Sequence, residues 1–207
     1  MTTKIKICGI TREADAQAVL SAGADALGLM FVAASPRFVS LDIACSIARQ
    51  TAGALQRVGV FADSEPQQVE QVLSRVELDV LQFHGSESRA ECERWGLPYI
   101  KAIRVRGPLS GELLEAAHPQ ACCLLLDAYR PGVLGGTGER FDLSLWPDNP
   151  GLRLALAGGL NPGNVAHAIA QVRPFAVDVS GGVEGPTRGI KDPELINEFV
   201  HAVRQVG

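Results

Sequence analysis

The feature that most limits how this chain can fold is a strand-then-helix unit that recurs about eight times along its 207 residues. Short apolar segments, typical of strands buried on both faces, alternate with longer segments that carry apolar residues at helical spacing. This alternation predicts a parallel sheet, and eight such units close naturally into a (β/α)8 barrel. The predicted strands cover residues 4–7, 26–31, 57–61, 79–83, 99–104, 122–127, 153–157 and 175–180.

The helical segments are marked by residues that commonly start and stop helices. The segment 13–22 is predicted to be helical, with Thr11 as a cap at its start and Gly23 as the cap at its end. A long glycine-rich loop is predicted over 128–140. The other helices are predicted over 41–50 after Ser40, after a capping box at 64–67, between Ser86 and Gly96, over 111–117, over 143–146, after Asn161-Pro162, and from Asp192-Pro193 to about 206.

These patterns predict an α/β protein that forms one compact (β/α)8 TIM barrel, with residues 1–207 as a single domain. The alternative is an open doubly wound sheet. It is disfavoured because no G-x-G-x-x-G motif follows the first predicted strand. In a barrel of this kind the chemistry collects at the C-terminal ends of the strands, so the residues at those ends are the candidates for a functional site.

The composition limits which partners and which cellular compartment are expected for this chain. A net charge of −4 gives no support for nucleic acid or an anionic membrane as a partner. No apolar run approaches the roughly 20 residues that span a bilayer, and no signal peptide is visible. The five cysteines are an odd number and form no C-x-x-C motif, which indicates reduced thiols in the cytoplasm.

Several polar groups stand at the predicted strand ends. Cys8 lies where the first strand gives way to Gly9 and a helix, and helix N-termini favour a thiolate at such a position. Asp127 ends an apolar run in which a carboxylate must be hydrogen-bonded or functional. Three further groups are Arg37, His84 and Arg104. Three of these five groups have a plain alternative: Cys8 as a core thiol, Arg37 in a surface ion pair, and His84 as a helix cap.

Two glycine clusters end the adjacent seventh and eighth strands: Gly158-Gly159 and Ser180-Gly181-Gly182. Barrels often bind phosphate at this place through backbone N–H groups, so the clusters predict a phosphate site. A metal is not expected, because only one of the four histidines stands at a strand end. A Schiff-base aldolase is disfavoured because its candidate lysines, Lys6 and Lys101, lie near the starts of strands.

A series of short motifs runs through the chain in order: Lys-Ile-Cys-Gly-Ile-Thr (6–11), Ser-Pro-Arg-Phe-Val (35–39), Val-Gly-Val-Phe (58–61), Leu-Gln-Phe-His-Gly (81–85), Leu-Leu-Asp-Ala (125–128), Gly-Gly-Thr-Gly (135–138), Phe-Asp (141–142), Leu-Ala-Gly-Gly-Leu-Asn-Pro-Gly-Asn-Val (156–165), Val-Asp-Val-Ser (177–180), Val-Glu (183–184) and Gly-Ile-Lys-Asp (189–192). Together they resemble the phosphoribosylanthranilate isomerase family over nearly the whole chain. Several motifs in one order are far more specific than any one of them.

The resemblance implies a (β/α)8 barrel and an isomerase of tryptophan biosynthesis. The reaction would be the Amadori rearrangement of N-(5-phosphoribosyl)anthranilate to 1-(2-carboxyphenylamino)-1-deoxyribulose 5-phosphate. By the same resemblance Cys8 is the general base, Asp127 the general acid, and Arg37 the anchor of the anthranilate carboxylate. The substrate-binding set is completed by His84, Gly158, Gly159, Ser180, Gly181 and Gly182.

The implied partner is a phosphorylated aminosugar, bound by a monomer or a homodimer. No redox step occurs in the reaction, so no cofactor is expected. The chain departs from the family pattern twice: Gly181 replaces the second serine of the usual Ser-Ser-Gly, and Leu143 replaces the usual aromatic after Phe-Asp.

Two other functions remain open at this point. A non-catalytic phosphosugar-binding barrel would keep the glycine clusters but would need neither Cys8 nor Asp127. A phosphate-binding isomerase of histidine-pathway aminosugars would resemble this chain in its fold. In such enzymes the expected acid and base are two carboxylates. The first strand here ends in a cysteine instead.

Overall fold

The computed structural model describes residues 2–128, 141–148 and 151–206. Its eight strands are parallel and pair in sequence order, and the eighth pairs with the first to close a barrel. This closed barrel confirms the predicted fold class and excludes the open sheet. The strands are β1 (Lys4–Cys8), β2 (Ala26–Met30), β3 (Gln56–Phe61), β4 (Val80–Phe83), β5 (Tyr99–Val105), β6 (Cys123–Ala128), β7 (Leu154–Leu156) and β8 (Ala176–Val179).

The helices surround the barrel between the strands. None of them, over the described ranges, is long and apolar enough to cross a membrane. Between β6 and β7 the described residues contain only a 3-10 turn, Leu143–Leu145, and the predicted glycine-rich loop lies outside them except for Ala128. The helices are α1 (Glu13–Ala22), α2 (Leu41–Gln50), α3 (Pro66–Leu73), α4 (Arg89–Glu93), α5 (Gly111–Ala117), α6 (Val165–Val172) and α7 (Pro193–Arg204).

Four predicted helix starts differ from the structure. The capping box of α3 joins Glu65 and Gln68 rather than residues 64 and 67. Thr11 does not cap α1, because its hydroxyl donates to the Gly189 carbonyl oxygen at 2.8 Å. The start of α4 is capped by Ser88 rather than Ser86. The start of α6 lies after Asn164, whose side chain donates to the Gly159 carbonyl oxygen at 2.8 Å and accepts from the backbone N–H of Asn161 at 2.9 Å. These bonds hold the segment before α6 as a loop, so the helix begins later than the Asn-Pro pair predicts.

Alternation along the strands separates the core from the site. Because successive side chains point to opposite faces, Ile5 and Ile7 of β1 pack in the outer core, whereas Lys6 and Cys8 belong to the barrel interior. On β6 the outer residues Leu124 and Leu126 alternate with residues of the barrel interior. The last of these interior residues is Asp127, which is polar. Small apolar side chains fill the lower interior, and polar groups follow at the C-terminal ends. The interior apolar residues include Ala26, Val58, Val80, Ala102, Cys123, Leu125, Ala155 and Ala157.

Candidate active site

A cavity of about 290 Å³ opens at the C-terminal ends of the strands. It is walled by residues from all eight strands or the loops that follow them, so groups distant in sequence share one space. The strand-end groups that the sequence indicated all line this cavity: Cys8, Arg37, His84, Arg104, Asp127, Gly158, Gly159, Ser180, Gly181 and Gly182.

Cys8 is the last residue of β1, and only 5% of its surface is exposed. Gly28 of β2 lies directly beside it in the parallel register. A Cβ atom at position 28 would stand 2.7 Å from the Cys8 sulfur, closer than real contacts allow. The glycine on β2 therefore makes the space that the Cys8 thiol occupies.

A buried ion pair lies beside Cys8. The Lys6 ammonium donates to the Asp178 carboxylate at 2.9 Å, across the closure between β1 and β8. A second buried lysine, Lys191, donates to the Ser180 carbonyl oxygen at 3.0 Å and to Glu184 at 3.1 Å. The sequence interpretation missed these four charged residues as a group. The available signal was period two in β1, which puts Lys6 and Cys8 on one face.

The electrostatics of Cys8 differ from the expectation. Burial raises the pKa of the Cys8 thiol above its ordinary value, and the positive charges of Lys6 and Lys191 oppose that rise. Burial by itself would lower the pKa of Lys6, but the charges of Asp178 and Cys8 more than offset it, and the Lys6 pKa is raised. Two buried lysines are thus charged groups that favour a thiolate here.

Arg37 is held in a fork by a carboxylate of the protein. Its Nε donates to Glu184 Oε1 at 2.6 Å and its Nη2 donates to Glu184 Oε2 at 2.9 Å, and both side chains are buried. Burial would raise the pKa of Glu184, but Arg37 and Lys191 together lower it. The two donors best suited to a substrate carboxylate therefore already bind Glu184.

His84 and Asp127 are hydrogen-bonded to each other from β4 and β6. The amide nitrogen of Gln82 lies 3.2 Å from His84 Nδ1, and His84 Nε2 lies 3.1 Å from Asp127 Oδ2. Because an amide N–H donates, Nδ1 is the acceptor and Nε2 carries the proton that is donated to Asp127. The other oxygen, Oδ1, faces Gly158, where an added Cβ atom would stand 3.1 Å away. Oδ1 is therefore the oxygen of Asp127 that His84 does not bind.

The loops after β7 and β8 pack backbone against backbone. A Cβ atom at Gly182 would overlap the Leu160 carbonyl oxygen of the neighbouring loop. A Cβ atom at Gly158, whose φ is +92°, would stand 2.8 Å from the backbone nitrogen of Ala128. Glycine at these positions leaves an adjoining ligand in contact with peptide groups, as phosphate sites require.

The donor set of the cavity suits acid–base chemistry. Within the described ranges, no group of three or more His, Cys, Asp or Glu side chains is arranged to hold a metal ion. The cavity does bring together a thiol flanked by lysines and a carboxyl group bonded to a histidine. Such a pair can remove a proton at one atom of a small ligand and add one at another.

Comparison with known sequences identifies a single family. The family model of N-(5'-phosphoribosyl)anthranilate isomerase matches residues 5–202. The N-(5'-phosphoribosyl)anthranilate isomerase of Thiobacillus denitrificans is 51% identical over 200 residues, covering 97% of this chain and 97% of that protein. The protein of the same name from Pseudomonas fluorescens is 52% identical over 202 residues, covering 96% of this chain and 97% of its own length.

Solved structures are similar over the same extent. Phosphoribosyl anthranilate isomerase from Thermotoga maritima has a TM-score of 0.85 and 38% identity, covering 99% of this chain and 100% of that one. Monomers generated from the dimeric enzyme of that organism give a TM-score of 0.80 at 34% identity, with 99% and 100% coverage. A complex of such an isomerase with reduced 1-(o-carboxyphenylamino)-1-deoxyribulose 5-phosphate gives 0.81 at 36% identity, also with 99% and 100% coverage.

Proposed function

We propose that this chain, which belongs to the N-(5'-phosphoribosyl)anthranilate isomerase family, uses Cys8 as general base and Asp127 as general acid. The enzyme catalyses the Amadori rearrangement of N-(5'-phosphoribosyl)anthranilate to 1-(2-carboxyphenylamino)-1-deoxyribulose 5-phosphate in tryptophan biosynthesis. The observation that carries the assignment of roles is that Cys8, Asp127 and both glycine clusters line one cavity.

The first chemical step opens the aminosugar ring. Asp127 gives the proton on Oδ1 to the ring oxygen as the bond from that oxygen to C1 breaks. The lone pair of the anthranilate nitrogen forms the C=N bond of an iminium ion at C1. Asp127 is left as a carboxylate, and the N–H of His84 Nε2, 3.1 Å from Oδ2, stabilises the negative charge.

The second step moves the double bond. The Cys8 thiolate removes the proton from C2, and the electron pair of that bond forms C1=C2 while the iminium electrons return to nitrogen. The resulting enolamine takes a proton at C1 and loses the proton of its C2 hydroxyl, which gives the ketone. Lys6 and Lys191 stabilise the thiolate that starts this step.

Binding holds the substrate at two anionic ends. The loops at 158–159 and 180–182 present peptide groups to the 5-phosphate, and Arg188 adds a cation to the cavity wall. The relative that binds reduced 1-(o-carboxyphenylamino)-1-deoxyribulose 5-phosphate supports a ligand with one phosphate and one carboxylate. Arg37 is the proposed anchor of the anthranilate carboxylate, and its fork with Glu184 holds the guanidinium at the cavity wall.

We further infer the setting in which the enzyme works. All five cysteines are free thiols, which supports the cytoplasm as its compartment. The net charge of −4 gives no support for a nucleic acid or membrane partner. A relative described as dimeric, from which monomers were generated, supports a monomer or a homodimer of this one-domain chain.

A fluorescence assay tests the function directly. The protein is added to freshly prepared N-(5'-phosphoribosyl)anthranilate, and the loss of anthranilate-type fluorescence is followed over time. We expect rapid loss with the phosphorylated substrate and much slower loss with N-ribosylanthranilate, because the glycine loops then have no phosphate to bind. Loss no faster than in buffer alone with the phosphorylated substrate would contradict the function.

A further inference from the structure

A buried lysine that the mechanism does not use lies on the outer side of the barrel wall. Lys101 of β5 is next to Phe83 of β4 in the parallel register, and only 4% of its surface is exposed. Its ammonium nitrogen lies 3.2 Å from the Glu87 carboxylate, whose side chain is also buried. Apolar residues of similar volume often stabilise a fold as well as a buried ion pair does, so stability alone does not explain this pair.

The ion pair binds the two peptide groups that flank His84. On the N-terminal side, Lys101 Nζ donates to the carbonyl oxygen of Phe83 at 3.3 Å. On the C-terminal side, the backbone N–H of Gly85 donates to Glu87 Oε2 at 2.9 Å, and the Gly85 carbonyl oxygen accepts from Lys101 at 2.7 Å. One buried ion pair therefore fixes the backbone on both sides of His84, at the point where the chain leaves β4.

The direction of the His84 side chain follows from these two peptides. The His84 ring faces the cavity, where Nε2 lies 3.1 Å from Asp127 Oδ2. The Glu87 carboxylate also accepts from the backbone N–H of Asp63 at 2.7 Å, which ties the loop after β3 to the loop after β4. A group that supports a reacting residue is effective only when its own backbone and neighbours hold it in place.

We propose that the Lys101–Glu87 ion pair is a positioning device that keeps His84 Nε2 within hydrogen-bond reach of Asp127. This inference rests on the role of Asp127 as general acid under the proposed function. Lys101 and Glu87 both stand outside the set of described residues that line the cavity, so the pair acts through His84. The alternative is that the pair only joins two loops and stabilises the fold.

A double-mutant cycle with His84 separates the two roles. Glu87→Gln keeps the shape of the side chain but removes its charge and one of its two acceptor oxygens, which loosens the Gly85 peptide. In an otherwise wild-type chain we expect kcat to fall by about tenfold or more, because a small misplacement near the reacting groups is costly. In the His84→Ala background the same change should lower kcat by less than about twofold, since no ring is left to position.

Lys101→Met removes the other partner of the pair and should give the same pattern, so the test does not depend on the folding of one variant. The Kd for the reduced product analogue should change by less than about twofold in both variants. Arg57→Met is the matched control. It breaks a fork with Asp79 at the start of β3, at the end of the barrel away from the cavity. It should lower the free energy of unfolding and leave kcat unchanged in both backgrounds.

The ring nitrogens of His84 give a readout that needs no turnover. In protein labelled with 15N-histidine, the His84 signals are those that disappear in His84→Ala. Glu87→Gln should move the Nε2 signal of His84, because its bond to Asp127 is lengthened or lost, and should leave the signals of His167 and His201 in place.

An equal fall of kcat in both backgrounds, or no fall in either, would overturn the inference. Turnover of N-(5'-phosphoribosyl)anthranilate by the wild type is measured separately, and its absence would count against the function. The His84 signal would still decide the positioning role, which an unmoved signal in Glu87→Gln would contradict.

Discussion

The Lys6 ammonium nitrogen lies 2.9 Å from a carboxylate oxygen of Asp178, and less than a tenth of either side chain is exposed. This pair belongs to a charge cluster around Cys8 that consists of Lys6, Arg37, Asp178, Glu184 and Lys191. Three members are cations and two are carboxylates, so the cluster has one positive charge in excess while Cys8 is a thiol. Ionisation of Cys8 makes it neutral, which is the electrostatic reason that a buried thiolate is attainable here.

Replacing Lys6 should move the pH dependence of the enzyme. Lys6→Met removes a cation that favours the thiolate, so the pKa of Cys8 should rise further and the alkaline rise of kcat/KM should shift to higher pH. The rate of iodoacetamide labelling of Cys8, followed by peptide mapping, should shift in the same direction. Lys4→Met, on the same strand but largely exposed, is the control and should leave both profiles in place. An unmoved profile in Lys6→Met would remove Lys6 from the mechanism.

The acid role of Asp127 predicts a loss of chemistry without a loss of binding. Asp127→Asn keeps the shape of the side chain and an acceptor for His84, but it has no proton to give to the ring oxygen. We expect kcat to fall by about 100-fold or more, as is typical for a general acid. The Kd for the reduced product analogue, measured by titration, should change little. Turnover within about tenfold of wild type would be too small a loss for this role.

The buried Arg37–Glu184 fork should contribute more to stability than an exposed ion pair. Arg37→Met should lower the free energy of unfolding by about 3 kcal/mol, the low end for a broken buried pair because Lys191 still faces Glu184. Arg75→Met, which breaks an exposed pair with Asp42, should cost less than about 1 kcal/mol. Denaturant unfolding measures both, and equal costs would contradict the importance of the fork.

The same fork predicts a pH dependence of stability. The pKa of Glu184 is lower in the folded protein than its ordinary value, so its stabilisation is complete above the unfolded pKa and is lost as pH falls through the folded one. The difference between wild type and Arg37→Met should therefore shrink below about pH 4.3. Unfolding curves across the acid range measure it, and a constant difference would count against a charged Glu184.

The two glycines after β8 should respond differently to the same substitution. A Cβ atom at Gly181 meets the Arg37 Nη2 atom at 3.3 Å, a contact that a shift of a few tenths of an ångström relieves, so Gly181→Ser should fold and keep most of its affinity for phosphate. Gly182→Ser places its Cβ atom on the Leu160 carbonyl oxygen and should separate the two phosphate loops. Titration with a 5-phosphate product analogue compares them. Equal affinities would mean that the packing of the two loops does not form the phosphate site.

The sequence predicted the features that depend on residues close together in the chain. Strand period placed Cys8 and Asp127 at strand ends, and α5 has the predicted bounds Gly111–Ala117. The charge cluster was missed because its ion pairs join residues that are 172 and 147 positions apart. Only closure of the barrel brings β1 against β8, so no local pattern reveals that Lys6 meets Asp178.

A thiolate at position 8 is proposed to remove the C2 proton, and Cys8→Ser tests that role. Serine has nearly the same shape, but its hydroxyl is far too weak an acid to supply an anionic base near pH 7. The measurement is kcat for N-(5'-phosphoribosyl)anthranilate at pH 7 in a variant shown to bind the reduced product analogue normally, with Cys123→Ser as a matched buried-thiol control. We predict a fall of about 100-fold or more in Cys8→Ser and little change in the control. Turnover by Cys8→Ser within about tenfold of wild type would contradict a role for Cys8 as the base.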